Sequence, residues 1–171
     1  MKKTIALIAL TSLLLVSCKK EVAAETAAKN PNEGGVNLIT SENTDMIKQM
    51  NVFASKFDTE SIKKLYAPGA VIYDNLNTMT LEENMKNLAN LQSQGVTITL
   101  PKVPLVWEAV NYKADKKTGI KNYVFSYYEI TFTKGEKKAK IIFNMNFGIK
   151  DGKILEEWDT YDTAPLKELL K

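Results

Sequence analysis

Residues 120–161 read IKNYVFSYYEITFTKGEKKAKIIFNMNFGIKDGKILEEWDTY, and the fold turns on how this stretch pairs with itself. Three runs rich in β-branched and aromatic residues, Ile120 to Thr133, Lys137 to Ile149 and Lys153 to Tyr161, are separated by glycine-bearing turns, the pattern of consecutive antiparallel strands. A two-residue turn at Gly135-Glu136 places Val124, Ser126, Tyr128 and Ile130 on one face with Phe147, Met145, Phe143 and Ile141, which is then the expected core. The next connection is a choice. A three-residue loop, Lys150-Asp151-Gly152 with Gly152 left-handed, turns Leu155, Glu157, Asp159 and Tyr161 to the same inner face. A two-residue turn puts Trp158 there instead, and the three-residue loop is the reading adopted.

Upstream, Val96 to Leu100 and Leu105 to Lys113 read as two further strands, and before Gly95 the period changes to helical. Met46, Ile47, Met50, Phe53, Ala54 and Phe57 form an apolar stripe that should face a core. A short second helix, capped by Asp58 or Thr59 and burying Ile62, Leu65 and Tyr66, should stop at Ala67-Pro68-Gly69. A strand from Ala70 to Asp74 follows. Thr80 and Glu83 make a capping box that opens a third helix through Leu81, Met85, Leu88 and Leu91. Downstream of the strands, a closing helix is expected from about Pro165. Helices first and strands afterwards argue for an α+β domain whose helices cover one face of a curved antiparallel sheet.

The first 41 residues read differently. Met1-Lys2-Lys3 precedes an apolar run from Ile5 to Val16, too short to span a bilayer but suited to the core of a signal peptide. The expected organisation is a signal peptide over residues 1–17, Cys18 with a flexible tether over 18–41, and one domain over 42–171. The tether is rich in Ala, Glu, Lys, Asn and Gly, and about 20 such residues reach roughly 25 Å. Cys18 is the chain's one cysteine, so no internal disulfide can form and the domain depends on packing alone.

Charge excludes some partners. The 23 basic residues are all lysine, and loss of Lys2 and Lys3 with the signal leaves 21 against 20 acidic residues, scattered rather than patched. Lys134, Lys137, Lys138 and Lys140 cluster at a hairpin tip, where they keep a strand edge solvated, and no nucleic-acid footprint results. The chain has no histidine and no arginine. Ser-His and Cys-His nucleophilic machinery is therefore absent, no nitrogen or sulfur zinc site can be built, and no metal or other cofactor is expected.

Two resemblances follow from these residues. Leu15-Val16-Ser17-Cys18 resembles the lipobox of bacterial lipoproteins, which implies acylation of Cys18 and anchoring to a lipid bilayer in the bacterial cell envelope, the outer membrane favoured over the inner. The order of elements, with Tyr66-Ala67-Pro68-Gly69-Ala70-Val71-Ile72-Tyr73-Asp74 after the first helices and Glu156-Glu157-Trp158-Asp159-Thr160-Tyr161-Asp162 near the end, resembles the nuclear transport factor 2-like superfamily. The resemblance lies close to the SnoaL-like and ketosteroid-isomerase-like members, over about residues 42 to 165. The resemblance implies a cone-shaped fold with an interior pocket for apolar ligands, and dimerisation through the sheet. Asp74 stands where the steroid isomerases keep their catalytic base. Their oxyanion-holding tyrosine corresponds to Met50 and their second donor to about Met145, neither of which can donate a hydrogen bond. Asp159 matches an acidic position of the limonene epoxide hydrolases, but the arginine and aspartate expected near Ser126 and Tyr128 are missing, and without histidine the dehydratases' histidine-aspartate pair cannot form.

The candidate site is then a pocket of Met50, Tyr128, Phe143, Met145, Phe147, Glu157 and Tyr161, with Asp74 and Asp159 as the acid-base candidates. Trp107 and Trp158 are read as packing residues. Carboxylates gathered in an apolar wall raise one another's pKa, which is how a base near neutrality is made. Two functions remain open. One is a tethered module that binds a small apolar ligand or a partner protein without chemistry. The other is a cofactor-independent lyase, isomerase or cyclase using Asp74 or Asp159 as base, with Tyr128 or Tyr161 as a replacement donor. An outward stripe of Tyr123, Phe125 and Tyr127 further implies a homodimer.

Overall fold

A computed structural model describes residues 34–171. The expected signal peptide, Cys18 and most of the expected tether lie outside the described residues. The elements run β1 (Gly35–Leu38), α1 (Glu42–Ser55), α2 (Thr59–Lys63), β2 (Tyr66–Asp74), β3 (Asn77–Thr80), α3 (Leu81–Ser93), β4 (Val96–Thr99), β5 (Leu105–Asn111), β6 (Asn122–Lys134), β7 (Lys137–Lys150), β8 (Lys153–Tyr161) and α4 (Ala164–Leu170). This is the expected α+β arrangement, helices packed on one large, unclosed, curved sheet.

Local chemistry sets the helix ends. Ser41 and Thr44 exchange hydrogen bonds as a capping box for α1, the Asp58 side chain accepts from the Ser61 amide at the start of α2, and Thr80 with Glu83 caps α3 as expected. Gly95 carries the positive φ of 74° that ends α3 and lets the chain turn into β4.

The strands lie in the order β1-β5-β6-β7-β8-β2-β3, and β4 pairs with β6 beyond the end of β5. One long strand, β6, thus pairs with β5 over Asn122–Tyr127 and with β4 over Thr131–Lys134, which carries the sheet round its own bend. Gly135-Glu136 is a two-residue turn, with Lys134 opposite Lys137, and Val124, Ser126, Tyr128 and Ile130 face Phe147, Met145, Phe143 and Ile141 as expected. Ile47, Ile62, Ile72, Val124, Phe147 and Ile154 are fully buried between this inner face and the helices.

Four features differ from the sequence reading. The sheet is mixed, because β2 pairs in parallel with β8. Gly35–Leu38 forms an edge strand on β5 rather than tether, held by backbone pairing alone with all four residues exposed, so no apolar pattern announced it. The strand expected from Ala70 begins at Tyr66, and Asn77–Thr80 returns beside it as β3. Within β2, four residues from Ala67 to Ala70 separate Tyr66 from Val71 where β8 has one, and Pro68, which has no amide to donate, sits in that irregular stretch.

The fourth concerns the turn before β8. Asp151-Gly152 is a two-residue turn with φ of 52° and 71°, the primed type whose twist suits a hairpin, and Lys150 lies opposite Lys153. The register then slips by one residue: Ile149 faces Ile154 but Gly148 faces Glu156, leaving Leu155 as a bulge. Turn and bulge offset each other. Ile154 takes the buried position expected for Leu155, and Glu157, Asp159 and Tyr161 face inward by a different route.

Candidate functional site

The inner face of β8 and the end of β2 form the head of a cavity of about 340 Å³. Parallel pairing sets Ile72 beside Glu157 and Asp74 beside Asp159, and on the other flank Met145 lies beside Asp159 and Phe143 beside Tyr161. Of the expected site residues, Met50, Asp74, Phe143, Met145, Glu157, Asp159 and Tyr161 all line this one cavity. Tyr128 and Phe147 do not. They are buried behind its wall: Phe147 is wholly enclosed, and Tyr128 has Asn51 as its hydrogen-bonding neighbour, with burial pushing its phenol up to about 12. Trp158 points to the opposite face of the sheet, stacked on Tyr73 with centroids 5.8 Å apart.

Ile98 of β4, Leu100, and Ile130 and Phe132 of β6 extend the apolar wall, and the helices supply the remainder. Ala54 of α1, Ile62 of α2, Leu88 and Leu91 of α3 and Leu166 of α4 are apolar, while Asn84, Asn87 and Asn90 bring amides from α3. The cavity is therefore greasy along its length and acidic at its head.

Tyr66 is a site residue that sequence reasoning assigned only to packing. Its hydroxyl donates to Glu157 Oε2 at 2.5 Å and lies 3.5 Å from the Met50 sulfur. Removal from water and then the negative charge of Glu157 push the Tyr66 phenol far above its ordinary value. The available signal was chemical: a tyrosine buried at the junction of helix and strand needs a partner for its hydroxyl.

Burial is also the first cause acting on the carboxylates. It lifts Glu157 to about 7; the hydrogen bond from Tyr66 and the one shared with Asp159 pull the other way, and the charge of Asp74 adds to the rise. Asp159 is raised well above the ordinary aspartate range, by burial and then by the charges of Glu157 and Asp74. Part of the Asp159 residue reaches solvent, but its Oδ1 is enclosed and receives no hydrogen bond from the protein. Each of the two makes the other's negative charge harder to form in this buried place, so their titrations are linked. Tyr161, raised by burial and then by the charge of Asp74, has Asp74 as its hydrogen-bonding neighbour, and its ring stacks on Phe143 at 4.2 Å. Among the described residues no group of three or more side chains is arranged to hold a metal ion.

No family model matches the chain, and no curated protein matches its sequence. Solved structures do resemble it. An LEH-like epoxide hydrolase of M. tuberculosis aligns with a TM-score of 0.54 at 16% identity, covering 77% of this chain and 91% of that one. An NTF2-like protein of Burkholderia xenovorans LB400 aligns at 0.56 with 13% identity, covering 78% and 99%. A protein assigned as a polyketide cyclase, from Xanthomonas campestris pv. campestris, aligns at 0.56 with 11% identity, covering 76% and 97%. The chain has the nuclear transport factor 2-like fold, an α+β cone with a pocket between helices and sheet. At these identities the likeness speaks for the fold, and the site must be argued from its own residues.

Proposed function

We propose that the domain binds a small molecule with an apolar body inside the cavity, its polar end held at Asp74, Glu157 and Asp159. The observation that carries this reading is where the local hydroxyls are committed. Tyr66 donates to Glu157, Tyr161 is turned to Asp74, and Met50 and Met145 fill the neighbouring wall. Catalysis through an oxyanion needs donors aimed at the developing charge, and here the two nearest hydroxyls serve carboxylates instead. The volume and apolar walls suit a compact ligand. Mass spectrometry of small molecules co-purifying with the full chain tests the reading. Recovery of one compound at near-stoichiometric amount supports it, and a cavity that carries and takes up nothing sinks it.

One observation favours a second reading, a cofactor-independent lyase, isomerase or cyclase. Glu157 at about 7, beside Asp159, has the poise of a general acid-base, and Asp74 has a tyrosine hydroxyl beside it. Conversion of the recovered compound by the purified chain would support chemistry over binding.

The same proposal includes an address. Acylation of Cys18 would hold the domain at a bilayer in the cell envelope, supported by the apolar run and the Leu15-Val16-Ser17-Cys18 sequence. Cys18→Ser should leave the precursor uncut or release the protein from membranes; a membrane-bound mature product would rule the anchor out. A homodimer through the outer sheet face belongs to the proposal too. Leu105 and Tyr127 face each other there, 58% and 46% exposed, next to stacked Trp107 and Phe125.

A further inference from the structure

We infer that the cavity selects an organic ammonium: a compact apolar or aromatic body carrying a protonated amine that docks at Asp74, Glu157 and Asp159. This rests on the binding reading above and names the class of ligand.

Charge is the first ground. Three carboxylates close the head of the cavity, and no lysine is among the residues that line it, in a chain with no arginine or histidine. An anionic head group would meet uncompensated negative charge in a poorly hydrated space. A cation would relieve it.

Hydrogen bonding is the second. Oδ1 of Asp159 is enclosed and accepts nothing from the protein, an open acceptor in a place water reaches poorly. An ammonium brings three donors and no acceptor, matching a head made of carboxylate oxygens, of which Glu157 already takes the Tyr66 hydroxyl. An alcohol brings one donor and leaves the rest unmet. The rings of Tyr66, Phe143 and Tyr161 line the same cavity and add the attraction of aromatic faces for a cation.

The arrangement discriminates against a metal ion. The three carboxylates come from successive inward positions of two neighbouring strands, and among the described residues they do not converge on one point as metal ligands must. An ammonium tolerates that spread because its donors fan outward.

Proton linkage gives the inference a second signature. The titratable groups facing the Glu157–Asp159 pair are Asp74 and Tyr66 on β2 and Tyr161 on β8; the lining from α1, α2, α3, β6 and β7 contributes no ionisable side chain. A bound cation favours the deprotonated pair, so affinity should rise with pH and reach its plateau above neutrality.

The test uses the full chain with its methionine methyls labelled with carbon-13, since Met50, Met85 and Met145 line the cavity and report occupancy in place. Benzylamine, benzyl alcohol and benzoate share one ring and differ in head-group charge. At about pH 8 benzylamine should shift the Met50 and Met145 methyls with at least about tenfold tighter affinity than benzyl alcohol, and benzoate should bind weakest. Lowering the pH to about 5.5 should weaken benzylamine by up to about thirtyfold, from the loss of a charge that titrates near 7, while benzyl alcohol changes little. Asp159→Asn and Glu157→Gln should each erase most of the preference. Equal affinity of benzyl alcohol or benzoate overturns the amine assignment and leaves the pocket reading intact. An amine preference unchanged in both variants overturns it by placing the cation elsewhere. Failure of all three probes to move the cavity methyls overturns the pocket reading and the inference together.

Discussion

The hydroxyl of Tyr66 donates to Glu157 across a sequence separation of 91 residues, joining the irregular start of β2 to the inner face of β8. The bond opposes the desolvation that raises Glu157, so removing it should push Glu157 further up from about 7. In Tyr66→Phe the carboxylate loses its donor while remaining buried, and stability near neutral pH should fall by about 1 to 3 kcal/mol. Carbon-detected NMR of the side-chain carboxyl and urea unfolding measure the two effects. A Glu157 midpoint that stays put would mean the bond is not made in solution.

Stability should fall as pH rises through the range that separates Glu157 unfolded from Glu157 folded. Its folded pKa of about 7 lies above the ordinary 4.5, so the native state binds the extra proton and its contribution is complete below 4.5 and lost as pH passes 7. The amount is on the order of 3 kcal/mol. Asp58, Glu83 and Asp115, lowered by hydrogen bonds from Ser61, Thr80 and Thr118, act in the opposite sense and lose their contribution as pH falls below the ordinary carboxylate range. Melting temperature should therefore peak in mildly acidic buffer, and Glu157→Gln should flatten the decline toward pH 8. A wild-type profile level from about pH 5 to 8 would count against burial of an ionisable Glu157.

The route by which Glu157 and Asp159 reach the cavity marks the limit of what the sequence conveys. The Thr80 capping box and the Gly135 turn were legible because each rests on residues three or fewer positions apart. The bulge at Leu155 was not, because its cause lies across the sheet. Asp151-Gly152 makes the two-residue turn its residue types favour, and one extra residue in β8 restores the inward set that the buried face demands. β1 and β3 were missed for a related reason: they are edge strands of four residues, mostly exposed, defined by backbone pairing rather than pattern. Asp74 and Asp159 were readable as neighbours only through a resemblance, since their pairing is the parallel one between distant strands.

Gly148 is buried on the outer side of β7 because Ile120 lies over it. A Cβ there would come 2.6 Å from Ile120 Cδ1, closer than packed carbons approach. Gly148→Ala should cost about 1 to 3 kcal/mol by forcing Ile120 aside. Adding Ile120→Val removes the clashing methyl and should recover part of the loss, so the double variant should be more stable than Gly148→Ala alone in chemical denaturation. Additive losses would show that the glycine is required by the adjacent register slip instead.

The proposed dimer can be tested with a disulfide. Tyr127 sits on the outer sheet face opposite Leu105 and Asn144, and a two-fold contact through that face would bring it near its own copy. With Cys18 the chain's one cysteine and, on the anchoring proposal, acylated, Tyr127→Cys should yield an oxidised dimer in membranes, while Lys116→Cys, in an exposed loop, should stay monomeric. Equal cross-linking of the two would remove the support for this interface.

Asp74→Asn separates the readings of the cavity because Asp74 acts on its neighbours through charge. Its carboxylate is among the causes that raise Glu157, Asp159 and Tyr161. The near-isosteric amide removes that charge, so the Glu157 midpoint should move down from about 7 and Asp159 should fall with it, a shift visible in the same carboxyl titration. If the domain only binds, affinity for benzyl alcohol should hold or improve, since one carboxylate fewer resists desolvation, while affinity for benzylamine should fall as part of its counter-charge is lost. If the domain is a catalyst with Asp74 as base, turnover of its substrate should drop by about 100-fold or more with the fold and the substrate affinity preserved. A pair midpoint that does not move would place Asp74 too far from Glu157 and Asp159 to belong to one site, and both readings of the cavity head would then lose their third carboxylate.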